Sequence, residues 1–155
     1  MARQTFHVRR RLALRRSRIH GKGVFAREPI PEGMRIVEYR GERITTAEAD
    51  RRYPEDPTVP YHTFLFALDD DFVVDAAHKG NIARWINHCC DPNCEAVIED
   101  GRIYLETIRD IAAGEELNYD YNFILPERHT PARKRRYPCI CGAPSCRGTM
   151  LARKR

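Results

Sequence analysis

The sequence predicts a mostly β domain of small sheets, closed by a loop-rich C-terminal appendix. Three observations carry this. Short runs rich in β-branched and aromatic residues recur between turn signals. The Asp100-Gly101 pair separates two alternating runs, as a two-residue hairpin turn requires. The C-terminal segment places Cys139, Cys141 and Cys146 among Gly142 and Pro144, a composition that folds a loop rather than extends a sheet.

Element by element, "HGKGVFA" (His20–Ala26) is a G-x-G triplet leading into an apolar strand. "MRIVEYR" (Met34–Arg40) and "HTFLFAL" (His62–Leu68) read as strands. "TTAEADRRY" reads as a short helix capped by Thr45 or Thr46. "DDDFVVD" turns into a strand at Phe72–Asp75, and "GNIARWINH" (Gly80–His88) reads as a second helix ending before Pro92. "EAVIEDGRIYLETI" is the hairpin, and "GEELNYDYNF" (Gly114–Phe123) reads as a strand that puts Tyr119 and Tyr121 on one side. "ILPERHTPARKRRYP" is polar, proline-bearing and basic, and reads as a linker loop. The expected division is a basic N-terminal arm over 1–15, a folded body over 16–125, a basic linker over 126–138, and a cysteine loop with a basic tail over 139–155.

A chain of 155 residues is long enough for one core. No run approaches the roughly 18 apolar residues of a membrane span. The first residues lack the apolar core of a secretory signal, so an intracellular location is expected: cytoplasmic in a bacterium or nuclear in a eukaryote, export to a host by another route aside. Thiols or metal ligands are then favoured over disulfides for the six cysteines. The net charge of +5 is unevenly spread. Met1–Arg27 holds nine Lys/Arg and no acid, and so does Arg128–Arg155. The stretch between them carries the other nine bases and all 22 acids, a balance of −13. An acidic body suits a basic peptide, and basic ends suit weak contact with phosphate.

Three cysteines in a C-x-C-x4-C run suit tetrahedral zinc, which takes about four ligands. Cys89, Cys90 or Cys94 of "RWINHCCDPNC" is the natural fourth. In the same stretch Asn87 and His88 offer an amide and an imidazole that suit an adenine edge. Two phenols, Tyr119 and Tyr121, converging on one pocket can orient an amine and pack around its methylenes. Taken singly, each of these has an ordinary structural explanation.

Their order is more specific. "RRSRIHGKGVFA", "EYRGE", "RWINHCCDPNC", "GEELNYDY" and "CICGAPSC" occur in the order of motifs in SET-domain protein lysine methyltransferases, and the chain resembles that family from about Arg16 to Cys146. The trithorax-type branch is most similar, with a post-SET zinc tail and without a cysteine-rich pre-SET region. The resemblance implies a SET fold whose C-terminal segment threads under a loop as a pseudoknot. It implies S-adenosyl-L-methionine as cofactor, contacted by Lys22, Gly23, Val24, Asn87 and His88. It implies structural Zn2+ on Cys90, Cys139, Cys141 and Cys146, leaving Cys94 a spare thiol. Tyr121 becomes the catalytic phenol. Tyr119 falls where the family chooses between phenylalanine and tyrosine, and its hydroxyl implies a bias to mono- or dimethylation. Phe64 stands where many relatives have a tyrosine; Tyr39 or Tyr61 are the residues to compensate. The expected substrate is a lysine of a histone-like or other basic protein. A SET-shaped binding module without turnover and a zinc-stabilised nucleic-acid binder are the alternatives.

Overall fold

The computed structural model describes residues 8–56, 58 and 63–153, so Tyr61 lies outside the described residues. A one-turn helix, α1 (Val8–Arg11), leads into β1 (Leu12–Arg16), which pairs antiparallel with β2 (Lys22–Ala26). Leu12 and Ala13 are buried, so residues 12–15, assigned by sequence to the arm, sit in a strand of the body. The second sheet contains β3 (Arg35–Glu38), β7 (Asn87–His88), β8 (Cys94–Glu99), β9 (Arg102–Thr107) and β10 (Asn118–Tyr119) in the order β3-β9-β8-β10-β7. The third has β4 (Glu42–Thr45), β6 (Phe72–Asp75) and β5 (Leu65–Ala67) in the order β4-β6-β5. The mostly β architecture of small sheets is therefore as expected.

The local chemistry explains most boundaries. Asp100 (φ 52°) and Gly101 (φ 73°) both have positive φ, the two-residue geometry whose twist matches the flanking strands β8 and β9. Thr45 caps helix α2 (Thr46–Arg52) by accepting the Glu48 N–H at 3.1 Å. Fully buried Asp75 accepts from the Tyr53 hydroxyl at 2.9 Å and the Arg52 guanidinium at 3.2 Å, which fixes α2 against β6. Val24, Ile36, Ile86, Leu105, Ile111 and Leu117 form the centre of the main core.

Two expectations are corrected. Gly80–His88 is not a helix. Asn81 caps a single 3-10 turn at Ile82–Trp85; the backbone extends at Ile86, and Asn87–His88 become β7. The cause is long-range: β7 pairs in parallel with β10, Asn118 opposite Asn87 and Tyr119 opposite His88. The basic linker is not all loop either. Thr130 caps a helix, α3 (Pro131–Arg136), by accepting the Arg133 N–H, with Pro131 in the first turn where its missing donor costs nothing.

The placement of β10 builds the site. It lies between β7 and β8, which are joined by residues 89–93, so the C-terminal segment threads against that connection. Fully buried Asn93 fastens the crossing. Its N–H donates to Asn118 Oδ1 (3.0 Å), its Oδ1 accepts the Asn118 N–H (2.9 Å), and its Nδ2 donates to the Glu116 carbonyl (2.8 Å). Every polar group of the side chain is used, as burial requires. Beyond β10, Phe123 bridges Leu151 and Pro138 bridges Thr149, bringing the cysteine loop back over β7.

Candidate active site and metal centre

A cleft of about 260 Å³ opens where the Ile19–Lys22 loop, β7, the 3-10 turn and the C-terminal loop meet. Of the residues singled out by sequence, Lys22, Phe64, Asn87, His88, Tyr121 and Cys139 line it. Gly23, Val24, Tyr39 and Tyr119 are buried and lie outside its lining.

Asn87 holds the glycine loop. Its Nδ2 donates to the carbonyls of His20 (3.1 Å) and Lys22 (3.0 Å) and to Glu116 Oε1 (3.0 Å). Glu116 Oε1 also accepts from the Ser17 hydroxyl at 2.7 Å, and that hydroxyl accepts the Ile19 N–H at 2.9 Å. Gly21, at φ +46°, turns the chain so that its carbonyl accepts the Ser17 N–H at 2.7 Å. Gly23 is required for a different reason: a Cβ there would fall on Glu116 Oε1, with Glu116 Cδ at 2.9 Å and Ser17 Cβ at 3.0 Å. The amide expected to read an adenine edge thus has its donors committed to shaping the loop. Val24 is a core residue whose carbonyl accepts the Leu117 N–H.

His88 sits between the phenols and the thiols. Its Nδ1 accepts the Tyr121 N–H at 3.0 Å, which places the proton of the neutral ring on Nε2, 3.4 Å from Cys90 Sγ. Burial, aided by Arg147 and opposed by Asp120, pushes the imidazole down to about 4, so it is neutral at physiological pH. Tyr121 donates its hydroxyl to the Ile86 carbonyl at 2.6 Å. Its ring lies 4.7 Å from that of Tyr119, centroid to centroid, and 5.3 Å from that of His88. Burial pushes both phenols well above the usual tyrosine range, so neither serves as a phenolate base. Tyr119 stacks on Phe66, and Phe66 packs against Tyr39. The Tyr39 hydroxyl donates to the Phe64 carbonyl at 2.9 Å. Phe64 itself meets the edge of Trp85 at 5.1 Å.

Asp120, between the two tyrosines in sequence, faces the other way. Arg147 grips it with two hydrogen bonds, 2.8 Å and 3.0 Å. Burial alone would raise this carboxyl, but the Arg147 hydrogen bonds, the Asn122 N–H and the Arg147 charge together outweigh it and hold Asp120 below the usual carboxylate range. The backbone N–H of Arg147 points at Cys90 Sγ at 3.4 Å, so one residue links the tyrosine segment to the thiols.

The sulfurs of Cys90, Cys139, Cys141 and Cys146 all lie within 4.8 Å of one another, a set that could hold a metal ion. The Cys90–Cys139 separation is 3.8 Å. Tetrahedral zinc with bonds of about 2.3 Å has sulfur–sulfur edges of about 3.8 Å, so the cluster fits that geometry. Peptide N–H groups aimed at the sulfurs, Arg147 at Cys90 and Gly148 at Cys146 (both 3.4 Å), suit thiolate charge. Cys89 and Cys94 are outside the set. Both are buried, and burial raises them to about 11 and about 12, which keeps them protonated.

Sequence reasoning missed three residues. Trp85 walls the cleft, with the Lys22 ammonium 5.1 Å and the Arg84 guanidinium 5.0 Å from its ring. Glu116 and Arg147 fasten opposite sides of the site, yet each reads locally as an ordinary surface charge.

Comparison with known proteins agrees with this arrangement. Residues 21–122, the span from the glycine loop through the tyrosine pair, match the SET domain family. This chain belongs to the SET-domain family. Its similarity to curated proteins extends past the matched span. It is 48% identical over 140 residues to the histone-lysine N-methyltransferase, H3 lysine-4 specific, of Eremothecium gossypii, covering 86% of this chain and 14% of that protein. The protein of the same description from Saccharomyces cerevisiae is 46% identical over 140 residues, covering 86% and 12%. The histone-lysine N-methyltransferase TRX1 of Oryza sativa is 41% identical over 148 residues, covering 92% and 14%. The SET chain described here thus spans about a seventh or less of these relatives. Among its described residues, no helix is long and apolar enough to cross a membrane.

Proposed function

We propose that this chain is an S-adenosylmethionine-dependent protein-lysine N-methyltransferase acting on a basic protein tail, with histone H3 the first candidate. One observation carries the reading. A cleft framed by the Asn87-bound glycine loop has the Tyr121 phenol in its wall, and the ring of Tyr119 lies 4.7 Å from that of Tyr121. The names of the three similar proteins, each a histone-lysine N-methyltransferase and two of them H3 lysine-4 specific, support the substrate class.

The cleft fits the cofactor's chemistry. Lys22 and Trp85 offer charge and an aromatic wall, and the carbonyls ordered by Asn87 set the shape of the loop. When bound, S-adenosylmethionine supplies a methyl group already activated by its sulfonium. The protein's remaining task is mainly alignment, which is a large contribution when two reactants are held in line. Tyr121 anchors its hydroxyl on the Ile86 carbonyl, which leaves the oxygen lone pairs as fixed acceptors. Tyr119, only 5% exposed, backs the Tyr121 ring from behind the cleft lining. The incoming lysine, with a reference pKa of about 10.4, loses its proton to solvent before it enters, because the aromatic wall of the cleft, Phe64, Trp85 and Tyr121, disfavours the ammonium form. Asp120 is no base in this scheme; its carboxylate is committed to Arg147. The Tyr119 hydroxyl restricts room for added methyl groups, so mono- and dimethyl-lysine are the expected products.

Zinc on Cys90, Cys139, Cys141 and Cys146 would pin the C-terminal loop, which contributes Pro138, Cys139 and Ile140 to the cleft wall. Its part is structural: four thiolates leave no open position for a reacting group.

The experiment is transfer of labelled methyl from S-adenosylmethionine to recombinant histone H3, a mixture of core histones and a lysine-free H3 tail. Label on H3 lysines, dominated by mono- and dimethyl products in mass spectrometry, supports the proposal. Absence of label on all histones, with cofactor bound, overturns the substrate; dominant trimethyl-lysine overturns the product bias.

A further inference from the structure

A second groove lies on the C-terminal appendix, and neither Tyr119 nor Tyr121 lines it. It is about 830 Å³ in volume, between α3 and the chain around Thr149–Arg153. Among the described residues, four bases line it, Arg128, Lys134, Arg147 and Arg153, and no acid does. Arg147 is neutralised by Asp120. Arg136, on the same helix as Lys134 but not lining the groove, is neutralised by Glu55. Among the described residues, no carboxylate pairs with Arg128, Lys134 or Arg153. Three uncompensated positive charges therefore face one concavity, an arrangement that repels itself until an anion enters.

The frame under these charges is built, not frayed. His129 is buried and hydrogen-bonded at both ring nitrogens: Nε2 accepts the Leu125 N–H and Nδ1 donates to the Ala152 carbonyl, each at 3.0 Å. The Met150 N–H donates to the Tyr137 carbonyl and the Ala152 N–H to the Phe123 carbonyl, both at 2.8 Å. The Arg133 guanidinium donates to the Arg128 carbonyl at 3.2 Å, joining α3 to the turn before it.

We infer that this groove binds the phosphate backbone of duplex nucleic acid. The lining chooses among anions. Among the described residues, His129 is the only ring in it, and its burial leaves little face on which an unpaired base could stack, which argues against single strands. Leu151 and Ala152 are buried beneath the bases, so no apolar pocket is open to anchor an acidic peptide. The groove is far larger than one phosphate group and suits a backbone that runs past three bases. Contacts of this kind position a protein on a duplex without reading its sequence.

The test is fluorescence anisotropy of the full zinc-loaded chain with a short labelled DNA duplex, the matching single strand and a polyglutamate peptide, over a salt series. Charge reversal at Arg128→Glu, Lys134→Glu and Arg153→Glu together is compared with the parent. Three phosphate contacts correspond to a share of about −2.7 in the slope of log affinity against log salt. The expected result is duplex binding that the triple variant weakens at least about 10-fold, with the slope shallower by about that share. Unaltered zinc content and thermal midpoint in the variant show that the fold is intact. If the triple variant loses zinc, the single alanine variants replace it, each removing about one unit of slope. Parental affinity and slope in the variants overturn the inference. So does tighter binding of the single strand, or polyglutamate binding that the same substitutions abolish.

Discussion

Gly23→Ala isolates the physics of the glycine loop. The added methyl would fall on Glu116 Oε1. That oxygen is the end of a flexible side chain, so in isolation it would simply move aside. Here it is held by the Ser17 hydroxyl at 2.7 Å and the Asn87 amide at 3.0 Å, and moving it breaks both bonds. Hydrogen bonds to a charged group are worth about 1.5–3 kcal/mol each when enclosed, and less where water can replace them. Glu116 is partly exposed, so about 2 kcal/mol for the pair is reasonable, equivalent to about 30-fold in affinity if it falls on loop order. The assay is calorimetric titration with S-adenosylmethionine on a double-mutant cycle of Gly23→Ala and Glu116→Ala. Because both substitutions break the same bonds, the double variant is expected to bind little worse than either single one, a coupling of about 2 kcal/mol. Additive losses would refute the reasoning, as would a Gly23→Ala chain that binds like the parent. Gly21→Ala is the control. Its Cβ meets nothing within 4 Å, so its effect reports backbone strain at φ +46° alone, and Glu116→Ala should not mask it.

Other parts of the site give separate expectations. Tyr121→Phe removes the hydroxyl held on the Ile86 carbonyl and should lower the methyl-transfer rate on the order of 100-fold with cofactor affinity nearly unchanged, as single-turnover kinetics and calorimetry would show. Tyr119→Phe should shift product toward dimethyl- and trimethyl-lysine in mass spectrometry, since it frees space beside Tyr121 without removing the ring stacked on Phe66. Cys90→Ser should lose close to one equivalent of zinc by elemental analysis and lower the thermal midpoint, whereas Cys94→Ala should retain the metal. Arg147→Ala leaves the Asp120 carboxylate without its two-bond partner and should cost about 1–3 kcal/mol in denaturant unfolding. Its backbone N–H to Cys90 survives the change, so zinc content should hold.

What the sequence showed of this fold was mostly local. The Asp100-Gly101 turn and the Thr45 cap are decided by neighbouring residues, and both formed where read. Gly80–His88 reads as one helix locally because the strand at its end, Asn87–His88, comes only from pairing with Asn118 and Tyr119, some thirty residues later. The helix at Pro131–Arg136 was hidden by a basic composition that also suits a loop, although Thr130-Pro131 was a legible start signal. For the metal set, spacing supplied three thiols and left three candidates for the fourth, and the threading of β10 brings Cys90 to them while burying Cys94. Glu116 could not be identified in advance: its function depends on Ser17, Gly23 and Asn87 meeting it, and the nearest of these is 29 positions away.

The central claim is that one cleft, between the glycine loop and the cysteine loop, receives the methyl donor. Photo-crosslinking of labelled S-adenosylmethionine to the zinc-loaded chain, mapped by peptide mass spectrometry, tests it most directly. Label on Ile19–Lys22, Trp85–His88 and the segment around Cys139–Ile140, competed by unlabelled cofactor, is the expected result. Competable label confined to another surface, or none within this cleft, would contradict it.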